Sequence, residues 1–290
     1  MERREYIEQP EQKKFTDSIM TAEQYAELED HDEPYRYELK AGDKELVYLG
    51  VAHSANPEAE SFKTIKQDIE TIHPDLVMIE GRSGINGIPQ EKLKEVADNY
   101  SSNNDAIKRH GESAFTAKVA IENGIRVNSP EPPDSEKIKY ILEQGISKEA
   151  VFAEAIVTLL HQYHWLEEKP ALEEYLEQYR ASFENETKWE GFDLSFDHYK
   201  ELHKKFTGKE FDINDKETIE RLNDPIPWEG RKYTEVNKVA ALSSEFRDRY
   251  MVEQIQKEFE KVDKIYVVFG ASHAVMQEPA LRKLMDSYGK

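Results

Sequence analysis

The stretch YVVFGASHAV, Tyr266–Val275, has an echo near the other end of the chain in VYLGVAHSA, Val47–Ala55. Each is a short apolar run that ends in Gly-x-x-His. Runs of this length flanked by turn residues read as buried strands, and each is followed by a segment with helical spacing. After the first comes SANPEAESFKTIKQDIETIHPD, where Phe62, Ile65, Ile69 and Ile72 fall on one helical face. Asn56 is positioned to cap this helix, Pro57 suits its first turn and Pro74 stops it. DLVMIEG then supplies a second short strand, which completes a strand–helix–strand unit.

The same alternation continues through helical IPQEKLKEVADNY and GESAFTAKVAIENG to strand-like IRVNSPEPP, with Gly124 placed as a helix C-terminal cap. Upstream, YRYELKAGDKELVYLG reads as a hairpin turning at Gly42. Residues 135–245 are mostly helical in pattern, with a loop-rich break at RLNDPIPWEGRKY, and a long helix leads into the second Gly-x-x-His. The expected fold is α/β: a largely parallel or mixed central sheet with flanking helices, formed by both ends of the chain, plus a helical insertion. Residues 1–34 are expected as an N-terminal arm, 35–134 with 246–290 as the α/β core, and 135–245 as the insertion or lid.

Composition narrows the function. A chain of 290 residues with 39 basic and 59 acidic side chains carries a net charge of −20, which repels nucleic acid and anionic membrane surfaces. Neither is expected as a partner. The absence of cysteine removes disulfides, thiolate metal sites and a cysteine nucleophile. MERREYIEQPEQKK lacks an apolar leader core, and no segment approaches the roughly 20 apolar residues that span a bilayer. A cytoplasmic protein is the expectation.

In an open α/β sheet, ligands bind beyond the carboxyl ends of the strands, where loops from several strands converge. Those ends deliver His53, Glu80, Asn128 with Glu131, and His273. Glycine at the head of each Gly-x-x-His is expected to turn the backbone sharply off the strand. Two histidines and a carboxylate make a ligand set for zinc, and for manganese or cobalt when further oxygens join. His53, Glu80 and His273 are the candidate ligands, and Glu112, opening a helix after Gly111, is a candidate general base or a support behind the ligands. Against this stand plainer readings: a hydrogen-bonded loop histidine, an exposed strand-end carboxylate, and an acidic first turn favoured by the helix dipole.

Two other motifs carry less. GASHA approaches the nucleophile elbow G-x-S-x-G, but only 17 residues follow His273, too few for the acid and histidine that should come after Ser272. His161, His164 and Glu168 share a helical face without the His-Glu-x-x-His or Glu-x-x-His arrangement, and read as packing or surface residues.

Three blocks, YLGVAHS with ESFKTIKQDIETIHPDLVMIEGR, GESAFTAKVAIENGIRVNSPEP, and FRDRYMVEQIQKEFEKVDKIYVVFGASHA, resemble in order the TraB pheromone-shutdown proteins, the GumN-like proteins and the Tiki metalloproteases. More distantly they are similar to the erythromycin esterase and ChaN-like group. The resemblance covers about 45–132 and 243–276. It implies that both Gly-x-x-His motifs, the glutamate after the second strand and an arginine before the last strand line one site: His53, His273, Glu80 and Arg247, with Glu112 matching less securely. It also implies hydrolysis of a peptide or ester bond in a peptide or small-molecule substrate, with Arg247 orienting the substrate or developing charge. A plain salt bridge to Asp248 or Glu245 is the competing role for Arg247. A metal-free His/Glu esterase and a non-catalytic binding protein for a peptide or haem-like ligand remain alternatives, and a second copy of the chain stays open as a partner.

Overall fold

The two echoing runs lie side by side at the centre of the sheet. In the computed structural model, which describes residues 13–28, 30–54, 56–81, 98–166 and 169–289, β2 (Lys44–Val51) and β5 (Lys264–Gly270) pair in parallel from Glu45 opposite Lys264 to Val51 opposite Gly270. β3 (Leu76–Ile79) pairs in parallel on the far side of β5, and β4 (Arg126–Asn128) in parallel beyond it. β1 (Tyr35–Ala41) closes the other edge antiparallel to β2, giving the order β1-β2-β5-β3-β4. Gly42 turns this hairpin at φ 58°. The fold is α/β with a mixed sheet built from both ends of the chain.

Eleven helices are seen among the described residues: α1 (Lys13–Thr16), α2 (Ala22–Ala26), α3 (Glu60–Ile72), α4 (Asn103–Glu122), α5 (Asp134–Glu143), α6 (Lys148–Trp165), α7 (Leu172–Thr187), α8 (Phe196–Thr207), α9 (Lys216–Asn223), α10 (Glu235–Phe259) and α11 (Ala271–Tyr288). The chain divides into two compact units, Met1–Pro132 with Asp248–Lys290, and Pro133–Arg247. None of the helices described is long and apolar enough to cross a membrane.

In the first unit, side chains alternate across the sheet with the two-residue period of a strand. Leu46, Tyr48, Val267 and Phe269 face Met251, Ile255 and Phe259 of α10 and Ala274, Leu281 and Leu284 of α11. Val47, Leu49, Tyr266 and Val268 face Phe62, Ile65 and Ile69 of α3 and Phe115 and Val119 of α4. Burial on both faces explains why β2 and β5 read as continuous apolar runs rather than alternating ones. Each fully buried aliphatic side chain there stabilises the fold by roughly 1.5–3 kcal/mol.

Local details depart from the sequence expectations in instructive ways. The described part of the N-terminal segment, expected as an arm or cap, docks on α11: Phe15 is buried among the α11 side chains, and the Met20 amide donates to the Met276 carbonyl at 2.9 Å. α3 starts at Glu60, not at Pro57, because Asn56 closes a separate turn first by accepting from the Glu58 amide at 3.1 Å. The helix ends at His73, left-handed at φ 48°, just before Pro74. Gly124 does follow the α4 cap, at φ 72°. Most of IPQEKLKEVADNY lies outside the described residues.

The second unit has its own core, in which Val151, Val157 and Leu160 of α6 meet Tyr199 and Leu202 of α8, Ile219 and Leu222 of α9, and Val239 of α10. α9 is opened by Asp215, whose carboxylate accepts from the Thr218 amide at 3.1 Å and from the Thr218 hydroxyl at 2.8 Å. Those bonds, the hydroxyl's first, and a lysine at 209 hold its carboxyl below the usual aspartate range. His161 and His164 lie half-buried on α6, and Glu168 falls outside the described residues. Burial is the main cause of a lowered pKa at His164.

Two outcomes test this architecture. Asp215→Ala should cost about 1 kcal/mol in urea unfolding at neutral pH. Because the folded-state pKa is depressed, the wild-type advantage is present above the ordinary aspartate range and should vanish as pH falls through the lowered value. Gly50→Ala should cost roughly 1–3 kcal/mol from overpacking. Its Cβ would stand 2.7 Å from the Ala274 Cβ and 2.9 Å from the Ala271 Cα. An unchanged melting temperature would mean that β2 and α11 do not approach so closely.

Candidate functional site

β2, β5 and β3 run in the same direction in adjacent register, so their carboxyl ends open at one rim. That sets Val51 level with Gly270 and Ile79 opposite Val268, two residues short of the end of β5, so the residues just beyond the three strands meet at one rim. His53 follows β2, Glu80 follows β3, and His273 lies in the first turn of α11 immediately after β5.

Glu80 is tied to the rim by its own strand neighbour. Its Oε2 accepts from the Gly270 amide at 2.9 Å, which fixes the carboxylate over the end of β5. The same oxygen stands 3.8 Å from His53 Nε2. The other nitrogen of that ring, Nδ1, stands 3.6 Å from Glu112 Oε2. His53 is thus flanked by two carboxylates, while its own side chain is 69% exposed.

Glu112 is placed from the opposite side. It sits within α4 just after Gly111, whose φ of 60° breaks the regular helical path, so only glycine is comfortable there. A Cβ on Gly111 would lie 3.5 Å from the Ser54 carbonyl, which shows how closely α4 approaches the loop after β2. Glu112 is 4% exposed, and its Oε1 accepts from the Ser54 amide at 2.7 Å. The carboxylate therefore ties down the loop that carries His53 as well as facing its ring.

His273 is supported from behind. Its Nδ1 is 2.6 Å from Asp248 Oδ1, a carboxylate on α10 that is 1% exposed. Sequence reading missed Asp248 as a site residue: it is 25 positions upstream, and it was considered only as a salt-bridge partner of its neighbour. No periodicity or motif marks it.

The two motif glycines do something other than turn the chain. Neither Gly50 nor Gly270 has a positive φ, and Gly270 caps α11 at φ −54°, ψ 141°. This corrects the expectation of a sharp glycine turn. Gly50 is needed for the close approach to α11 described above. At Gly270 the missing side chain leaves a hollow: a Cβ there would be 3.6 Å from Glu80 Oε2, 3.7 Å from His273 Cδ2 and 3.8 Å from His53 Nε2. Three candidate side chains surround one methyl-sized space.

The donor set around that hollow fits a divalent ion in kind, with two imidazoles and a carboxylate, each histidine turning Nδ1 to a second carboxylate as metal-bound histidines commonly do. It is open in spacing. With metal bonds of about 2.1 Å, tetrahedral ligand atoms stand about 3.4 Å apart. The His53–Glu80 separation of 3.8 Å is wider. Among the described residues no group of three such side chains is arranged to hold a metal ion.

Asn128 bonds the Ser129 amide at 2.9 Å and so serves its own loop. Glu131 is buried at 8% exposure, with its amide on the Ser129 hydroxyl. Ser272 stands in the first turn of α11, half-buried. Arg247, half-buried on α10, is the last residue of the second unit, outside the unit that assembles the cluster.

Glu112→Ala should release the loop after β2. Loss of a buried charge-assisted hydrogen bond costs about 1.5–3 kcal/mol, and amide exchange at Ser54 should quicken, whereas Glu112→Gln retains an acceptor and should keep most of the protection. Equal exchange in all three proteins would show that the carboxylate does not hold the loop. Compared with protein-family models, with curated proteins and with solved structures, the chain matches none.

Proposed function

We propose that the unit formed by Met1–Pro132 and Asp248–Lys290 is a hydrolase of peptide or ester bonds that employs a divalent ion, manganese, cobalt or zinc, held by His53, Glu80 and His273. The observation that carries this reading is the hollow at Gly270, ringed by those three side chains at 3.6–3.8 Å. The resemblance to the TraB, GumN-like and Tiki proteins points the same way. When bound in such a site, a divalent ion polarises a carbonyl and lowers the pKa of its water.

The chain's own groups have separable parts in this reading. Glu80, anchored on the Gly270 amide, and His273, backed by Asp248, face the reacting group from fixed positions. His53, the exposed member, can adjust as substrate enters. Glu112 supports His53 and its loop rather than acting as base, since one oxygen is engaged by Ser54 and the other faces the ring. The start of α11 opens at the same hollow without a side-chain cap, so the positive end of its dipole favours negative charge developing there. The role of Arg247 in orienting substrate rests on the resemblance alone. A cytoplasmic setting belongs to the same proposal, supported by a cysteine-free composition that asks for no oxidising compartment.

A metal-free esterase chemistry is favoured by one specific observation, the 2.6 Å Asp248–His273 contact, which would suit His273 as a general base.

The test is Gly270→Ala, which fills the hollow without backbone strain, beside His53→Ala, in chelator-stripped protein. Manganese, cobalt or zinc at a hundred times its Kd should stabilise the wild type by about 2.7 kcal/mol. Both variants should fold and lose that gain, together with turnover on a panel of esters and peptides. Turnover unaffected by metal and lost in His273→Ala would select the metal-free chemistry. A ligand-induced shift without product under any metal would replace hydrolysis by binding.

A further inference from the structure

Behind His273 the side chains continue as a buried line of hydrogen bonds that runs away from the cleft. Asp248 Oδ1 lies 2.6 Å from His273 Nδ1 and also accepts from Gln277 Nε2 at 2.7 Å. Gln277 Oε1 in turn accepts from the Tyr48 hydroxyl at 3.1 Å. Asp248 is on α10, Gln277 is one helical turn beyond His273 on α11, and Tyr48 is on β2. Gln277 and Tyr48 have no exposed surface and Asp248 has 1%.

The donor and acceptor sense of this line is dictated by chemistry. An ionised carboxylate only accepts, so the Gln277 amide must turn its NH2 to Asp248 and its oxygen to the Tyr48 hydroxyl, which donates. The same carboxylate oxygen requires a proton on His273 Nδ1. Neutral His273 then has its N–H on the buried side and its Nε2 lone pair on the other. That lone pair is what either a metal or a proton acceptor role needs.

We propose that Asp248 and Gln277 are positioning residues that set the tautomer and ring orientation of His273. The functional meaning rests on the hydrolase reading above; the tautomer does not. Asp248 holds the Nδ1 proton, and Gln277, braced on Tyr48, holds the carboxylate oxygen in line.

The experiment is long-range proton–nitrogen correlation on the full chain with nitrogen-15 histidine, metal-free, above the ordinary histidine titration range. His273→Ala identifies the signal. The wild type should show His273 as the Nδ1–H tautomer. Asp248→Ala should move the majority to Nε2–H, the form favoured by unconstrained histidine in water, while Asp248→Asn, which keeps an acceptor oxygen, should retain Nδ1–H. Gln277→Met should allow a mixture. A wild type in the Nε2–H form overturns the proposal whether or not the variants fold, and so does an unchanged tautomer in folded Asp248→Ala. Absence of turnover or of metal binding leaves these readouts intact, so failure of the hydrolase reading and failure of the positioning role are told apart.

Discussion

Everything at the candidate site depends on the parallel pairing of β2 with β5 and of β5 with β3. Parallel strands end on the same side, and the register that sets Val51 opposite Gly270 and Ile79 opposite Val268 brings the three strand ends to one rim, with β3 ending two residues short of β5. The glycine amide at the end of the central strand then serves as the anchor for Glu80 from its neighbour. Loss of that register by one residue would turn alternate side chains to the other face and scatter the cluster. Stability and site geometry are therefore set by the same buried apolar alternation, in which residues from both ends of the chain share two cores across one sheet.

A second constraint is charge. Two carboxylates that touch the histidines, Glu112 and Asp248, are almost wholly buried, and each has donors that justify its burial: the Ser54 amide for one, Gln277 and His273 for the other. Buried charges without such partners are costly, so these contacts are expected to be rigid. The exposed partner, His53, is the member with room to move. The cleft thus combines two braced groups with one adjustable ring.

Much of this could be read from the amino-acid sequence, and the reasons for the rest are specific. β2 and β5 were readable because burial on both faces produces unbroken apolar runs, and the spacing of Phe62, Ile65 and Ile69 showed α3 directly. The strand-end rule was enough to bring His53, Glu80 and His273 to one rim. The role of the motif glycines was misjudged, because a missing Cβ serves equally for turning and for close approach, and only distances separate the two. Asp248 was not recognisable as a support for His273, because a contact between α10 and the first turn of α11 leaves no periodicity in the sequence. The start of α3 was misplaced for a similar reason: Asn56 can cap a turn as readily as a helix.

The most direct measurement is anomalous X-ray diffraction from crystals of the chelator-stripped protein soaked in manganese. A peak in the hollow above Gly270, within bonding distance of His53, Glu80 and His273, is the expected result. Ordered crystals with these three side chains in place, and manganese either absent or bound only elsewhere, would contradict the metal-assisted reading.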